Sequence, residues 1–569
     1  MDFNRLKQAG RQRRDPFFEV SAEERVANEV PAPDVDPHDS LERDAEAQVG
    51  RSAALMSVLV IVSRITGFFR TWGQAYALGV TVTASCYTVA NNLPNQLYEL
   101  VMGGMLVTAF LPVYLSVKER SGRKGANEYT SNLLSLVVLV MGAVAALGLV
   151  FAVQVVWTQS FSATSEFDGG LAVYFFRFFV IEVVLYALSS VLSGVLNAER
   201  DYFWSTAAPI FNNFVCTASF FLYVAFAASN PTLAILCLAV GNPLGVAIQV
   251  VMQVPSLRRH GIRLRPHVDL HDPAIRETLS IGIPSLVVTF ASFVTVSVQT
   301  SCALSVTAQG ASIAYYSRLW YTLPYAILAI PITTAMFTEL SDRVSKGDMA
   351  GYVRGVASGT SRIMFFLVPF SLFLVVFAPA LITLLAAGKF SAEDISTTTL
   401  YLQVLSLSLP VYGICTYLQK VCSSLREMRL FAIASVVAGI VQVAFCFVFT
   451  PLFGLNVVAL SSLLFFVAVD WVTFESLRRE LGHIGMRGVA VATLRSLGLG
   501  AVGAAVGAAV LWALSTFLAP LGSSALRALL YALAGGIPAV AVTFGLALAL
   551  RVPEASFIQT VVAKLTGRS

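Results

Sequence analysis

Long apolar segments separated by short polar connections follow one another along the chain from Ala53 onward. About fourteen of these segments are long enough to cross a bilayer, because a helix needs about 20 apolar residues to span the hydrocarbon core. The pattern therefore predicts an all-α polytopic membrane protein with about 14 transmembrane helices. The approximate ranges of the predicted spans are 53–80, 84–117, 129–157, 168–197, 205–228, 231–254, 277–304, 310–340, 359–386, 394–424, 428–450, 455–477, 488–517 and 525–551.

The connections between these spans alternate in charge. Every second connection is rich in Lys and Arg, as in KERSGRKGANE and SLRRHGIRLRPH, whereas the others hold almost none apart from Lys389 and Arg527. Basic connections stay in the cytoplasm, so strict alternation predicts an even number of spans with both termini cytoplasmic.

The longest and most charged connection follows the sixth span and divides the first twelve spans into six and six. Transporters are often built from two such bundles around a central cavity. We therefore expect two six-helix lobes around a central cavity, followed by a C-terminal helix pair. The predicted units are a disordered cytoplasmic tail at 1–50, an N-lobe at 51–256, a cytoplasmic linker at 257–276, a C-lobe at 277–480, spans 13 and 14 at 481–551 and a cytoplasmic C-terminus at 552–569.

Composition supports a membrane protein and excludes several function classes. Of the 569 residues 56% are hydrophobic and 12% charged, with mean hydropathy +0.74, whereas soluble domains carry about 25% charged residues. The net charge of +5 reports orientation in such a protein and not nucleic-acid binding. The seven cysteines lie in apolar segments without CxxC spacing and the five histidines lie in polar regions, so neither a metal or redox site nor a transmembrane histidine relay is predicted.

No catalytic constellation interrupts the spans. The chain contains no Walker A sequence and no nucleophile–histidine or paired-carboxylate arrangement inside the membrane. We therefore expect a transporter and not an enzyme, with no cofactor and with an ionic or electrical energy source.

Two arginines lie inside the first apolar run, in SRITGFFR at 63–70. An arginine near the bilayer centre costs roughly 2.5 kcal/mol or more, so Arg64 and Arg70 are expected to face protein or a hydrated cavity. Six residues place them about 120° apart on a helix, with Gly67 between them. Arginine suits an anion site because its planar fork binds phosphate through two hydrogen bonds. The alternative for either residue is a side chain that extends to the membrane surface.

Other polar residues lie in later spans. Arg318 stands among tyrosines and a tryptophan in IAYYSRLWYTLPYAI, rings that form either the mouth of a cavity or an interfacial belt. Arg177 and Glu182 are five residues apart, which is a poor spacing for a pair on one helix, so each is expected to have a separate partner. Asp470 is interpreted in the same way. Asparagine clusters occur in VANNLPNQLYEL and APIFNNF, where amides either join helices or meet a polar ligand.

Several segments, taken in order, resemble the MurJ/MviN family. They are SRITGFFR, NNLPNQLYELVMGGMLVTAFLPVY, SGVLNAERDYFWSTAAPIFNN, YYSRLWYTLPYAILAIPITTAMFTELS and the shorter AAGKFSAED. The resemblance covers spans one to ten and implies a lipid II flippase of the multidrug/oligosaccharidyl-lipid/polysaccharide exporter superfamily. It implies a cationic cavity for the pyrophosphate of an undecaprenyl-linked precursor and a lipid-tail groove at spans 13 and 14.

The resemblance also implies a location, partners and site residues. We expect a multi-pass protein of the bacterial cytoplasmic membrane that acts as a monomer on lipid II among membrane lipids, with cell-wall synthesis proteins as candidate partners and no nucleic acid. The expected substrate-binding residues are Arg64, Arg70, Arg318, Asn92, Asn95, Asn197 and Asn213.

The sequence departs from the family pattern at several positions. Ser85, Tyr98 and Gly103 stand where many members have an acid, an arginine and a glutamate, and Arg318 lies one residue before the family's second-lobe arginine. Span seven contains no acid, so sodium coupling is not expected and membrane potential or protons remain as energy sources.

Three alternatives differ in cargo or class. An exporter of another lipid-linked oligosaccharide would use the same cationic cavity, whereas an exporter of cationic drugs would favour an acidic one. A membrane-embedded glycosyltransferase would need catalytic acids on large outer loops, and the loops are short. A scaffold for cell-wall enzymes would leave the membrane arginines without a purpose.

Overall fold

The computed structural model describes residues 37–103, 110–262, 265–282, 286–386 and 389–555, and within them it is helical without a β-strand. The first group of helices comprises α1 (Pro37–Leu78), α2 (Val82–Tyr98), α3 (Phe110–Val150), α4 (Ala152–Trp157), α5 (Gly169–Phe179), α6 (Glu182–Ala198), α7 (Tyr202–Phe226), α8 (Pro231–Val251) and α9 (Val254–Arg259). A short π-helical turn, Glu99–Gly103, continues α2.

The remaining helices follow the long connection. They are α10 (Pro273–Gly282), α11 (Leu286–Val306), α12 (Gly310–Pro324), α13 (Ile330–Ser345), α14 (Met349–Ala386), α15 (Ala392–Ser406), α16 (Leu409–Ser424), α17 (Met428–Phe453), α18 (Leu455–Leu481), α19 (Met486–Phe517) and α20 (Ala525–Ala549). A π-helical turn, Tyr325–Ala329, joins α12 to α13.

The number of candidate spans is smaller than predicted. Among the described residues eleven helices are long and apolar enough to cross a membrane, or twelve if α15 and α16, bent by 48°, form one span. These twelve correspond to predicted spans 3–14, so the count of fourteen is not confirmed. Arg64, Arg70 and Gln74 interrupt the apolar run of predicted span 1, and predicted span 2 crosses residues 104–109, which lie outside the described residues.

The predicted tail also differs from the structure. Residues 1–36 lie outside the described residues, but residues 37–50, expected in a disordered tail, form the first turns of α1. The segment DSLERDAEA explains this, because Glu, Arg and Ala are strong helix formers. The predicted cytoplasmic C-terminus at 552–569 lies mostly outside the described residues.

Side-chain caps fix several helix starts. The Thr81 hydroxyl accepts a hydrogen bond from the Ala84 amide at the start of α2. The Asn230 side chain accepts a hydrogen bond from the Leu233 amide at the start of α8, where Pro231 occupies the first turn. Ser391 and Asp394 form a reciprocal capping box at α15. Such caps satisfy amide groups that have no partner within the helix, and they locate the ends of the spans.

The helices pack in two halves and a terminal pair. Buried apolar clusters join α2 to α4, α5 and α7 and join α3 to α6 in the first half. A larger cluster contains residues from all the helices from α12 through α18 in the second half. The terminal pair α19 and α20 packs on α14, where Phe373 and Phe377 meet Ala504 and Ala539. The boundaries predicted for the two lobes stay a prediction.

Hydrogen bonds join the two halves at one end of the spans, where the sequence predicts the outer side. The Tyr316 hydroxyl donates to the Gly79 carbonyl at 2.9 Å, and the Thr164 amide donates to the Leu304 carbonyl at 3.0 Å. Ser162 and Ser301 bond through their hydroxyls at 2.8 Å. These contacts hold the halves together at this end.

Close packing of α19 on α20 depends on glycine. A side chain at Gly503 would overlap the Thr543 hydroxyl and the Ala539 carbonyl, whereas a side chain at Gly498 on the same helix would meet nothing within 4 Å. We expect Gly503→Leu to lower the free energy of unfolding by about 1–3 kcal/mol, since an overpacked contact forces the helices apart. Thermal unfolding in detergent measures this, with Gly498→Leu as the matched control. Equal stability of the two variants would contradict the close contact.

Candidate functional site

Arg64 and Arg70 face different surroundings, as their 120° separation on α1 requires. Arg64 is exposed, whereas Arg70 is partly buried, and its buried Nε atom has no hydrogen-bond partner within the described ranges. Phe68 lies between them and packs edge-on against Trp320 of α12, with 5.5 Å between the ring centroids. This part of α1 therefore lies against the second half of the molecule.

Arg70 belongs to a polar cluster inside the first half. Its Nη2 atom donates to the side-chain oxygen of Asn242 on α8 at 3.0 Å. The amide nitrogen of Asn242 donates to the side-chain oxygen of Asn91 on α2 and lies 3.4 Å from the Oε2 atom of Glu182. Asn242 thus stands between a guanidinium and a carboxyl group that do not touch each other.

Arg64 and Arg318 belong to different halves of the molecule, and both lie near Tyr412. Arg318 of α12 is exposed, as Arg64 is. The hydroxyl of Tyr412 on α16 interacts electrostatically with both guanidinium groups. Tyr412 also packs against Tyr325, with ring centroids 4.5 Å apart. Two exposed cations therefore lie near the interface between the halves.

The four predicted asparagines have different positions. The Asn213 amide donates to the Thr66 hydroxyl at 3.1 Å and to the Ser63 carbonyl at 3.3 Å, next to Arg64. Asn92 is partly buried on α2, one residue after Asn91 of the Arg70 cluster. The Asn95 amide lies 3.5 Å from a Glu99 oxygen. Asn197 is exposed at the end of α6, where it accepts from the Ser205 hydroxyl at 2.7 Å.

These contacts divide the predicted set. Asn213 lies beside Arg64, and Asn92 is next in the chain to Asn91 of the Arg70 cluster. In the described part of the chain, the side-chain hydrogen bonds of Asn95 and Asn197 go to Glu99 and Ser205 and not to an arginine.

An apolar groove opens between α12, α14 and α20. Its cavity volume is about 550 Å³. Trp320 forms part of its wall, two residues after Arg318, and its buried indole nitrogen has no hydrogen-bond partner in the described part of the chain. The lining residues are Trp320, Leu323, Pro324, Phe370, Phe373, Leu374, Phe377, Leu381, Ala532, Leu533, Gly536, Ile537, Val540 and Ala541.

Sequence reasoning did not place several residues of the site. Asn242 and Tyr412 are not among the predicted site residues, and the sequence predicts for Glu182 only a partner separate from that of Arg177. Asn242 lies alone in the apolar run CLAVGNPLG, and an isolated polar residue of this kind is a signal of a buried partner. Arg177, five residues before Glu182, is exposed, and Glu182 is buried, so their surroundings are separate.

Asp470 on α18 is a second buried carboxyl group. Its exposed fraction is 6%, and neither carboxylate oxygen has a hydrogen-bond partner among the described residues. It lies in an apolar cluster with Cys415 and Phe431. Asp470 is therefore not part of the arginine site.

The fold and the site define a class. Two halves built from membrane-spanning helices, basic side chains where the halves meet and an apolar groove beside them are the features of a polytopic membrane transporter. Comparisons with known proteins identify the family more closely.

The chain belongs to the lipid II flippase MurJ family, whose model matches residues 74–531. It is 24% identical over 436 residues to a probable lipid II flippase MurJ from Borreliella burgdorferi, covering 75% of this chain and 83% of that protein. It is also 24% identical over 370 residues to a lipid II flippase MurJ from Burkholderia cenocepacia, covering 64% and 70% of the two chains. The family consists of transporters and not of enzymes.

Solved structures share the fold. A lipid II flippase MurJ in an inward closed conformation has a TM-score of 0.69 at 18% identity, over 87% of this chain and 99% of that chain. An inward-facing multidrug resistance MATE family transporter of the MOP superfamily has a TM-score of 0.63 at 14% identity, over 75% and 98% of the two chains. The chain is thus an integral membrane protein with a MurJ-like and MATE-like fold.

Proposed function

We propose that this chain moves lipid II from the inner to the outer leaflet of the bacterial cytoplasmic membrane, with both termini in the cytoplasm. Lipid II is a peptidoglycan precursor joined to an undecaprenyl chain through a pyrophosphate. Family membership supports this cargo, and so does the chemistry of the site.

The observation that carries the proposal is the position of Trp320. Its ring packs on Phe68 near the arginines and also forms a wall of the apolar groove. A cargo with a diphosphate and a polyprenyl chain can therefore place its charge among Arg64, Arg70 and Arg318 while its tail lies in the groove. The arginines compensate a charge that would otherwise not cross hydrocarbon, and the groove keeps the tail out of water.

The proposed movement is alternating access. The predicted lobes, 51–256 and 277–480, rock about the site, the linker at 257–276 connects them, and spans 13 and 14 carry the tail. Contacts such as Tyr316 with Gly79 and Ser162 with Ser301 close the predicted outer end. They must break for the headgroup to leave on that side.

Complementation tests the proposal. The chain is expected to restore growth in a bacterium depleted of its own flippase and to make lipid II accessible at the outer leaflet. Lipid II that stays inside, although the chain reaches the membrane in normal amounts, would contradict it. The alternative cargo is another lipid-linked oligosaccharide precursor, which shares the diphosphate and the polyprenyl chain, and outer-leaflet accessibility of such a lipid in the same cells distinguishes the two.

A further inference from the structure

Glu182 is a carboxyl group buried inside the first half of the protein. Its exposed fraction is 0%, and its Oε1 atom has no hydrogen-bond partner among the residues that the structure describes. It is the first residue of α6, which follows α5 after two residues in helical conformation, and the two helices together form one candidate membrane span.

Arg70 is near enough to act on Glu182 but does not pair with it. Asn242 separates them, since its oxygen accepts from Arg70 at 3.0 Å and its nitrogen lies 3.4 Å from Glu182. Arg70 keeps a buried Nε atom without a partner, as Glu182 keeps Oε1. Both groups therefore have unused hydrogen-bonding capacity in a buried place where unmade bonds are unfavourable.

The charge of Glu182 depends on what Arg70 faces. Burial disfavours a carboxylate, and the nearby guanidinium favours it. An anion bound to Arg70 cancels much of that favourable field, so the protonated form of the Glu182 carboxyl group becomes the more stable one. The titratable or charged groups in this cluster are Arg70 of α1, Tyr87 of α2, Tyr186 of α6 and Cys216 of α7, with Tyr315 of α12 facing Arg70 from the second half.

We propose that Glu182 is a proton-binding site that takes up one proton from solvent when the diphosphate of the cargo binds to Arg70. The carboxylate becomes a carboxylic acid, and no other bond forms or breaks. The inference rests on the proposed function, because it takes the cargo to be a diphosphate. It assigns a role in the energy cycle to Glu182, which lies in predicted span 4, whereas span seven contains no acid.

Linkage fixes the sign of the effect. If the bound state holds one proton more than the free state, affinity for the cargo falls as pH rises, by at most about tenfold per pH unit. A diphosphate diester such as lipid II carries no proton that it can lose near neutral pH, so the dependence reports on the protein. In Glu182→Gln the neutral amide imitates the protonated carboxyl, and affinity is expected to stay high and independent of pH.

The experiment measures lipid II affinity of the purified full-length chain in lipid nanodiscs from mildly acidic to mildly alkaline pH. Asp470→Asn is the matched control, because it removes an equally buried carboxyl group outside the cluster and is expected to keep the wild-type pH profile. Isotope-edited infrared difference spectra of the wild type should gain a carboxylic-acid signal when lipid II binds, and Glu182→Gln should lack it. This second measurement decides the matter if the variant fails to fold.

The outcomes separate the two proposals. A wild-type pH slope retained in Glu182→Gln, or no carboxylic-acid signal on binding, overturns the proton site and leaves the flippase function intact. Absence of lipid II binding to the wild type at every pH overturns the proposed function itself.

Discussion

Replacing Arg64 with alanine is expected to abolish lipid II transport while the protein still folds and enters the membrane. A charge-assisted pair of hydrogen bonds to a phosphate is worth about 3 kcal/mol or more, which corresponds to roughly a hundredfold loss of cargo affinity. Arg64 is exposed, so its truncation leaves no buried carboxylate without a partner. The change in the free energy of unfolding should stay within about 0.5 kcal/mol, as for other surface substitutions.

Two further variants make this test specific. Arg177→Ala removes another exposed arginine from a membrane-spanning helix of the first half and is expected to keep normal transport. Arg64→Lys keeps the charge but loses the planar fork, so we expect only partial transport. Outer-leaflet accessibility of lipid II in flippase-depleted cells measures all three. Normal transport by Arg64→Ala would show that the cation at this position does not hold the cargo.

Arg64 and Arg70 contribute differently because their surroundings differ. Arg64 is exposed and can turn toward a ligand, whereas Arg70 is bound to Asn242 inside the first half. Removal of Arg70 would leave the Asn242 oxygen and the Glu182 carboxyl group without their neighbouring charge. A loss of function in an Arg70 variant would therefore mix lost binding with lost stability. Arg64 gives the cleaner measurement.

Hydropathy predicted most of the helices closely. The predicted spans 428–450, 455–477 and 525–551 correspond to Met428–Phe453, Leu455–Leu481 and Ala525–Ala549. A long apolar window that is followed by glycine predicts the position of a helix well, and α17 ends in this way before Gly454. The same method predicted two further spans, at 53–80 and 84–117, that the described residues do not confirm.

The partners of the polar side chains could not be predicted in this way. Arg70 and Asn242 are 172 residues apart in the chain, and no periodicity links them. The short irregularity between α5 and α6 leaves no mark in the sequence, because YFFRFFVIEVVLY continues the apolar pattern through it. Helical packing decides which side chains meet, and a single sequence does not encode that arrangement in a form that periodicity reveals.

Filling the groove at Gly536 is expected to stop transport as completely as removing Arg64. Gly536 forms part of the groove wall, and a side chain built there meets nothing within 4 Å. The indole of Gly536→Trp would therefore occupy space meant for the lipid tail without disturbing the packing of α20. A glycine inside a helix is unfavourable by about 1 kcal/mol relative to alanine, so the variant should be at least as stable as the wild type.

Gly545→Trp provides the matched control for the groove. Gly545 lies on the same helix, also has nothing within 4 Å of an added side chain, and does not line the groove. Nine residues turn a helix through two and a half turns, so the two glycines point in opposite directions. Lipid II accessibility should be lost in Gly536→Trp and normal in Gly545→Trp, with equal amounts of both proteins in the membrane. If both variants transport normally, the tail takes another path, and the coupling of headgroup and tail sites through Trp320 has to be abandoned.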